Sequence, residues 1–364
     1  MRYPDFLKEN GTIGFVAPSF GCAIEPYKSS FDNALKKFRA DGYECKLGPN
    51  CYASDGIGIS STPMKCGEEL TEGYCDRDSD VLISCGGGEL MCEILDFVDF
   101  DRISQNDPKW YMGYSDNTNF TFTLTTMCDV ASIYGPCAAS FGTEPRHQSI
   151  NDAFSLLTGE YMKADRSITL QGYDKWEIEQ LKSEDNPLAG INATKDSYPL
   201  RFWPQNNKRE ADGESNVVNN QVDSISMGGR LLGGCLDCLV NLCGTKYDQV
   251  KAFNERYEED GIIWFLEACD LNPLSIRRAM WELEHAGWFE KAAGFVIGRT
   301  LNYGAEMMGM DNYKAYIDVI SHYQVPILMD ADVGHLPPML PLINGSMAHI
   351  ESEGRKWSVQ MKLV

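Results

Sequence analysis

The sequence KWYMGYSDNT at residues 109–118 joins a strand-like run to a helix-like run through a serine. Residues 109–112 are aromatic and apolar enough for a short buried strand, and residues 118–127 are typical of a helix that enters a core. Ser115 at this corner would expose its hydroxyl beside the N–H groups of a helix N-terminus, which suits a nucleophile. A serine that only caps the helix gives the same pattern, so other parts of the chain must show which of the two roles Ser115 has.

Strand-like and helix-like segments alternate around this corner. The predicted strands are residues 12–18, 42–47, 81–85, 132–136, 261–266 and 294–297. Residues 27–41 read as a helix between the first two, and such alternation predicts a parallel sheet covered by helices.

The polarity of the chain changes twice and marks three zones. Residues 156–222 are polar and irregular, and apolar segments resume at residue 224. We therefore predict an α/β fold with an N-terminal domain at 1–155, an irregular linker or lid at 156–223 and a C-terminal domain at 224–364.

Length and charge exclude several classes of protein. The chain has 364 residues, 43% of them hydrophobic, which is enough for two packed domains. It contains no run of about 18 apolar residues, and residues 1–8 lack the features of a secretory signal, so we expect neither a membrane span nor export. The net charge of −21 argues against a nucleic-acid partner, because phosphate binding needs a basic surface.

The 13 cysteines are scattered through apolar segments, which is typical of small buried side chains in a reducing cytoplasm. Cys235 and Cys238 form a single CxxC motif with no second pair and no nearby histidine. The sequence therefore predicts neither a metal site nor a redox site here.

Three further segments place reactive groups where strands end. In SCGGGE at 84–89, the N–H of Gly87 could form an oxyanion hole with that of Asp116, although the turn also fits a weak anion-binding loop. Glu267 ends the strand at 261–266, where an acid can orient a histidine or simply form a salt bridge. His335 is the one histidine of five in a loop stiffened by Gly and Pro, which suits a general base.

The order Ser, Glu, His is that of a serine triad, and it also fits the α/β-hydrolases. The segment GYSDNT lacks the second glycine of the hydrolase motif G-x-S-x-G. The local sequences therefore have to identify the family.

Six segments together resemble the LD-carboxypeptidase family of serine peptidases, which includes muramoyl-tetrapeptide carboxypeptidases and microcin C immunity peptidases. They are GTIGFVAPS (11–19), SCGGGE (84–89), GYSDNT (113–118), GGCL (233–236), FLE (265–267) and GH (334–335). The resemblance implies a Rossmann-like N-terminal domain that carries the nucleophile and a smaller C-terminal α/β domain that carries glutamate and histidine. It also implies a catalytic triad of Ser115, Glu267 and His335, and a cytoplasmic homodimer without a cofactor.

Two positions depart from the family pattern. Ala268-Cys269-Asp270 follows the glutamate, where family members often have an acidic and then a small apolar residue, and Cys235 stands where asparagine is common. Both lie near the expected pocket, so they bear on the substrate rather than on the chemistry.

The candidate substrate-binding residues are Gly86, Trp176, Trp203 and Arg230. The long middle zone is similar to the microcin immunity branch, in which an aromatic residue of this region stacks on a nucleotide base, although a tryptophan can simply pack. Arg201 beside Trp203 could reach a substrate carboxylate. We expect residues 159–220 to form a mobile cover over the cleft.

Three functions are compatible with the sequence. The first is a serine carboxypeptidase that cuts the bond between an L-centre and a D-amino acid in a cell-wall tetrapeptide. The second is a microcin immunity-type peptidase that cleaves acyl-sulfamoyl adenylates, so the partner is a small peptide or peptidyl-nucleotide in either case. The third is a non-catalytic nucleotide- or peptide-binding protein that uses the glycine turn at 86–88 as an anion cradle.

Overall fold

The computed structural model describes residues 1–203 and 221–364 and has two sheets flanked by helices. The strands are β1 (Thr12–Val16), β2 (Glu44–Leu47), β3 (Val81–Ser84), β4 (Trp110–Gly113), β5 (Ser132–Tyr134), β6 (Ser167–Gln171), β7 (Lys175–Glu177), β8 (Ala193–Asp196), β9 (Leu200–Phe202), β10 (Ser224–Cys235), β11 (Ile262–Glu267), β12 (Ala292–Gly298), β13 (Glu306–Met307), β14 (Met310–Asp311), β15 (Ile327–Ala331), β16 (Leu342–Asn344), β17 (Met347–Glu353) and β18 (Lys356–Lys362). The α-helices are α1 (Tyr27–Ala40), α2 (Pro63–Cys75), α3 (Phe100–Gln105), α4 (Thr118–Cys128), α5 (Gln148–Thr158), α6 (Leu236–Leu242), α7 (Val250–Arg256), α8 (Pro273–His285) and α9 (Asn312–Ile320). Among these helices none is both long and apolar enough to cross a lipid bilayer.

The first sheet has the strand order β16-β5-β4-β3-β1-β2, in which all neighbours are parallel except β16 and β5. All four residues of β3 and of β4 are buried, as expected for strands covered on both faces. The order reverses between β1 and β3, and such a switch point opens a crevice at the carboxyl ends of the strands. The glycine turn after β3 lies at this crevice, and Ser115 follows the adjacent strand β4.

The second sheet has the order β6-β18-β17-β10-β11-β12-β15-β9, with β10, β11, β12 and β15 parallel. Glu267 is the last residue of β11, and Cys235 at the end of β10 is its partner in register. The predicted α/β class and the two-domain arrangement are confirmed. The C-terminal sheet has more strands than the N-terminal one, because parts of the middle zone join it.

The middle zone is more ordered than an irregular linker. Strand β6 pairs with β18, β9 pairs with β15, and β7 and β8 form a separate two-stranded ribbon. Helix α5 runs across the boundary that we predicted at residue 155. Strands β6 and β9 of the zone are thus built into the second sheet, whereas residues 204–220 of the predicted cover lie outside the described residues.

Helix α4 connects the nucleophile corner to the second sheet. Its Phe122 ring stacks on Trp288 at a centroid distance of 5.2 Å, and the hydroxyl of Thr118 accepts a hydrogen bond from the N–H of Cys235 at 3.0 Å. These contacts bring the end of β10, and with it the end of β11, to the turn that holds Ser115.

Candidate active site

Ser115 occupies a strained turn between β4 and α4. Its φ is +62°, in the left-handed region that non-glycine residues seldom adopt, and such strain costs roughly 1–3 kcal/mol and clusters at functional sites. The side-chain amide of Asn117 holds the turn by donating to the carbonyls of Tyr114 at 3.1 Å and Gly86 at 2.9 Å. Asn117 in turn accepts a hydrogen bond from the buried Tyr111 hydroxyl at 2.5 Å. No sequence pattern indicates this role of Asn117, because its hydrogen-bond partners are set by the turn itself.

The glycine turn after β3 lies directly against Ser115. A Cβ atom added to Gly87 would be 3.1 Å from Ser115 Cβ and 3.2 Å from Ser115 Oγ, so a side chain there would press on the hydroxyl. The backbone of Gly87 can therefore approach this hydroxyl in a way that other residues cannot.

His335 joins Ser115 to Glu267. Its Nε2 is 2.8 Å from Ser115 Oγ, and its Nδ1 is 2.9 Å from Glu267 Oε2. The carboxylate can only accept, so this network assigns the proton to Nδ1 and leaves Nε2 to accept from the serine hydroxyl. Gly334, with φ +107°, allows this contact, because a Cβ there would be 2.6 Å from Glu267 Oε2. Ser115, Glu267 and His335, which lie at or just after the ends of three separate strands, thus form one hydrogen-bonded relay.

Tyr134 completes the relay from the N-terminal domain. Its hydroxyl donates to Glu267 Oε1 at 2.6 Å and accepts the N–H of Ser115 at 3.4 Å. The sequence placed Tyr134 in a strand, where nothing distinguishes it from a core aromatic residue. The structure shows that it links the nucleophile turn to the buried carboxylate.

Charge in the relay is set by burial and by the ion pair. Burial by itself would raise the pKa of Glu267, but the imidazole and the two hydrogen bonds from His335 and Tyr134 outweigh burial and lower that pKa. Burial would lower the pKa of His335, but the Glu267 carboxylate, helped by the Cys269 thiol, raises it well above the ordinary histidine value. Glu267 is therefore ionised and stabilises positive charge on the ring.

Asp116 anchors the site with its side chain. Its carboxylate accepts hydrogen bonds from the hydroxyl of Ser19 at 2.6 Å, the N–H of Met91 at 3.0 Å and the amide of Asn119 at 3.0 Å. Burial raises the pKa of Asp116 to about 6 against these donors. This carboxylate fixes the segments that follow β1 and β3 to the start of α4.

Both halves of the chain match one family of known proteins. Residues 13–135 match the LD-carboxypeptidase N-terminal domain, and residues 228–350 match the LD-carboxypeptidase C-terminal domain. The chain belongs to the LD-carboxypeptidase family.

The chain is similar over almost its whole length to several relatives. The microcin C7 self-immunity protein MccF of Escherichia coli is 23% identical, over 97% of this chain and 94% of that protein. The structure of MccF in complex with aspartyl sulfamoyl adenosine has a TM-score of 0.77 at 21% identity, over 99% of this chain and 98% of that one. The muramoyltetrapeptide carboxypeptidase from Oxalobacter formigenes has a TM-score of 0.64 at 17% identity, over 97% of this chain and 99% of that one. At these identities the solved structures establish the fold.

Two arginines that were predicted to contact the substrate do not lie at the relay. Arg230 lies in the middle of β10, opposite the first residue of β11, and its buried side chain forms an ion pair with Asp260 at 2.6 Å. Arg201 donates to the carbonyl of Gly354 at 2.7 Å within the second sheet and does not reach the site. Both assignments are corrected, because the arginines are already paired inside the fold.

The two tryptophans differ from each other. Trp176 is 3% exposed and packs against Tyr303, with the guanidinium of Arg299 5.3 Å from its ring centroid, so it is a packing residue and its assignment is also corrected. Trp203 is 44% exposed and lies next to the residues that are not described. Gly86 is at the site, where its carbonyl accepts from Asn117.

A cavity of about 180 Å³ opens beside His335. Its lining includes the rings of Tyr27 and Tyr114, the buried carboxylate of Glu177 and the ammonium-bearing side chain of Lys182. Lys182 forms no ion pair within residues 1–203 and 221–364, and burial lowers its pKa. No local sequence pattern predicts this cavity, because its lining residues come from distant segments of the chain.

Proposed function

We propose that the chain is a serine peptidase in which Ser115 is the nucleophile, His335 the general base and Glu267 the residue that orients the histidine. The proposal rests on two consecutive hydrogen bonds. Ser115 Oγ is 2.8 Å from His335 Nε2, and His335 Nδ1 is 2.9 Å from Glu267 Oε2. Nucleophile, base and orienting acid within hydrogen-bond reach are the signature of this chemistry.

The reaction follows from the positions of the protons. His335 Nε2 takes the proton of Ser115 as Oγ attacks the carbonyl carbon of the substrate amide, and Glu267 keeps the Nδ1 proton in place. The N–H groups of Gly87 and Asp116 stabilise the oxyanion of the tetrahedral intermediate. The imidazolium then protonates the leaving amine, and water hydrolyses the acyl-enzyme with the same base.

The substrate we propose is a cell-wall muropeptide that ends in a D-amino acid, which is released as the leaving amine. The family assignment supports a carboxypeptidase, and a carboxypeptidase must recognise the terminal carboxylate of its substrate. Lys182 in the cavity beside His335 supplies an ammonium group for that carboxylate.

The test is release of the terminal D-amino acid from a muramoyl tetrapeptide, measured in parallel for the native protein and Ser115→Ala. We expect release by the native protein only. Equal release by both proteins would overturn the serine mechanism.

A second candidate is the cleavage of an aminoacyl-nucleotide such as an acyl-sulfamoyl adenylate. It is favoured by the higher TM-score to the MccF complex than to the muramoyltetrapeptide carboxypeptidase. Tyr27, 51% exposed at the cavity, offers a ring on which a base can stack. A parallel assay with aspartyl sulfamoyl adenosine decides between the two: a higher kcat/KM on the nucleotide would favour the second candidate.

A non-catalytic binding protein would need no relay, so the alignment of Ser115, His335 and Glu267 weighs against that function. The homodimer and the cytoplasmic location that the resemblance implies stay predictions.

A further inference from the structure

A thiol lies beside the relay and has no part in the proposed chemistry. Cys235 is 1% exposed and is paired in register with Glu267 at the ends of two parallel strands. Its Sγ, a carboxylate oxygen of Glu267 and a ring nitrogen of His335 all lie within 4.8 Å of one another. The three side chains come from three separate segments of the chain and meet at one point.

This donor set is that of a thiophilic metal ion. Thiolate, imidazole and carboxylate together suit Zn²⁺, whereas Mg²⁺ and Ca²⁺ prefer oxygen ligands alone. Bond lengths of about 2.3 Å to sulfur, 2.0 Å to nitrogen and 2.1 Å to oxygen put tetrahedral ligand atoms about 3.4–3.6 Å apart. The His335 and Glu267 atoms are 2.9 Å apart, so they must separate by about 0.5 Å on binding. No two of the three ligand atoms are more than 4.8 Å apart, so the distances to sulfur must shorten by at most about 1.3 Å.

We propose that Cys235, Glu267 and His335 form an inhibitory binding site for a thiophilic divalent metal ion, for which Zn²⁺ is the probe. On binding, the Cys235 thiol releases its proton to solvent, and thiolate and carboxylate together neutralise the two charges of the ion. Water takes the fourth position.

The ion inhibits because it occupies the base. If Nδ1 binds the metal, the remaining ring proton is on Nε2, which then cannot accept the proton of Ser115. If Nε2 binds the metal, its lone pair is no longer available. The reaction proposed above is blocked in either case.

The site is distinct from a CxxC metal site. The Cys238 thiol donates to the backbone carbonyl of Ser115 at 3.5 Å, and the carboxylate of Asp237 accepts the N–H groups of Cys269 and Asp270 at 3.0 and 2.9 Å. Cys128 provides a matched control, because its buried thiol donates to the carbonyl of Phe100 at 3.7 Å at the end of α4 remote from Ser115, so that Cys128→Ser leaves the three ligands and their contacts intact.

Equilibrium dialysis against Zn²⁺ tests the site without turnover. We expect one ion per chain in the native protein and in Ser115→Ala, with unchanged affinity in Cys128→Ser. Removal of a direct ligand in Cys235→Ser should weaken binding by about tenfold or more. Absence of bound Zn²⁺ in the native protein, or equal binding by Cys235→Ser, would overturn the proposal.

The absorption spectrum of bound Co²⁺ provides a second test of the site, and it starts from the Ser115→Ala protein. A sulfur-to-cobalt charge-transfer band is expected in Ser115→Ala, with its loss in Ser115→Ala/Cys235→Ser. If the double variant does not fold, loss of the band in Ser115→Ala/His335→Gln supports the site, and absence of any band in Ser115→Ala overturns it. Because neither measurement uses catalysis, failure of the metal site is distinguishable from failure of the peptidase proposal.

Discussion

Replacement of Glu267 by Gln tests the orienting carboxylate at the centre of the relay. Glu267 is fully buried and accepts hydrogen bonds from His335 Nδ1 at 2.9 Å and Tyr134 at 2.6 Å. An amide of the same shape keeps the packing but presents an N–H₂ group, which favours the histidine tautomer with its proton on Nε2. The wrong tautomer in a serine triad lowers kcat about 10⁴-fold, which is roughly 5 kcal/mol in the barrier.

The pH dependence of the same variant has a definite sign. Base catalysis needs neutral His335, and Glu267 raises the pKa of that ring, so the native rate falls as pH drops through a value above the ordinary histidine pKa. Loss of the negative charge lowers the pKa of His335, and the acid limb of kcat/KM therefore moves to lower pH.

The assay is D-amino acid release from pH 5 to 9, with far-UV circular dichroism to verify folding. Glu284→Gln is the matched control, because Glu284 also faces a histidine, His322, at 3.2 Å but lies away from the site. The control should retain the native rate and acid limb. A Glu267→Gln protein with more than about a tenth of the native kcat, or with its acid limb at higher pH, would refute the assigned role.

Four other substitutions give three separate tests. Gly87→Ala adds a Cβ 3.1 Å from Ser115 Cβ, and the resulting displacement should lower kcat about 10²-fold in steady-state assays; native kcat would contradict an oxyanion hole here. Lys182→Met should raise KM roughly tenfold for a tetrapeptide with a free carboxylate and leave KM for its terminal amide unchanged; equal changes would remove Lys182 from carboxylate recognition. Trp176→Ala should lower the free energy of unfolding by about 3–5 kcal/mol in urea titrations, whereas Trp203→Ala should change it by less than about 0.5 kcal/mol; the reverse order would contradict the packing role of Trp176.

Local sequence patterns predicted the N-terminal fold and the members of the relay. The predicted strand at 81–85 and helix at 118–127 correspond to β3 and α4, because apolar periodicity and turn residues act over a few positions. Each member of the relay has its own local signal: Ser115 lies at a strand-to-helix corner, Glu267 at the carboxyl end of a strand and His335 in a loop stiffened by Gly and Pro.

Pairing between distant segments could not be predicted from those patterns. Strand β9 lies in a polar zone, so the sequence pattern predicts it as part of a lid. It is stabilised by pairing with β15, more than 100 residues later in the chain. Arg230 is buried and forms an ion pair with Asp260. The side chain of Trp176 is buried by packing against its neighbours. Cys235 likewise gains its neighbours Glu267 and His335 only when the strands assemble.

Covalent labelling of Ser115 tests the nucleophile most directly. A fluorophosphonate forms a P–O bond with an activated serine and releases fluoride, so the mass of the protein increases by one adduct. We expect one adduct per chain, mapped by peptide mass spectrometry to Ser115. The adduct should be absent from Ser115→Ala and should form much more slowly in His335→Gln. Labelling at another serine, or equal labelling of the native and Ser115→Ala proteins, would contradict it.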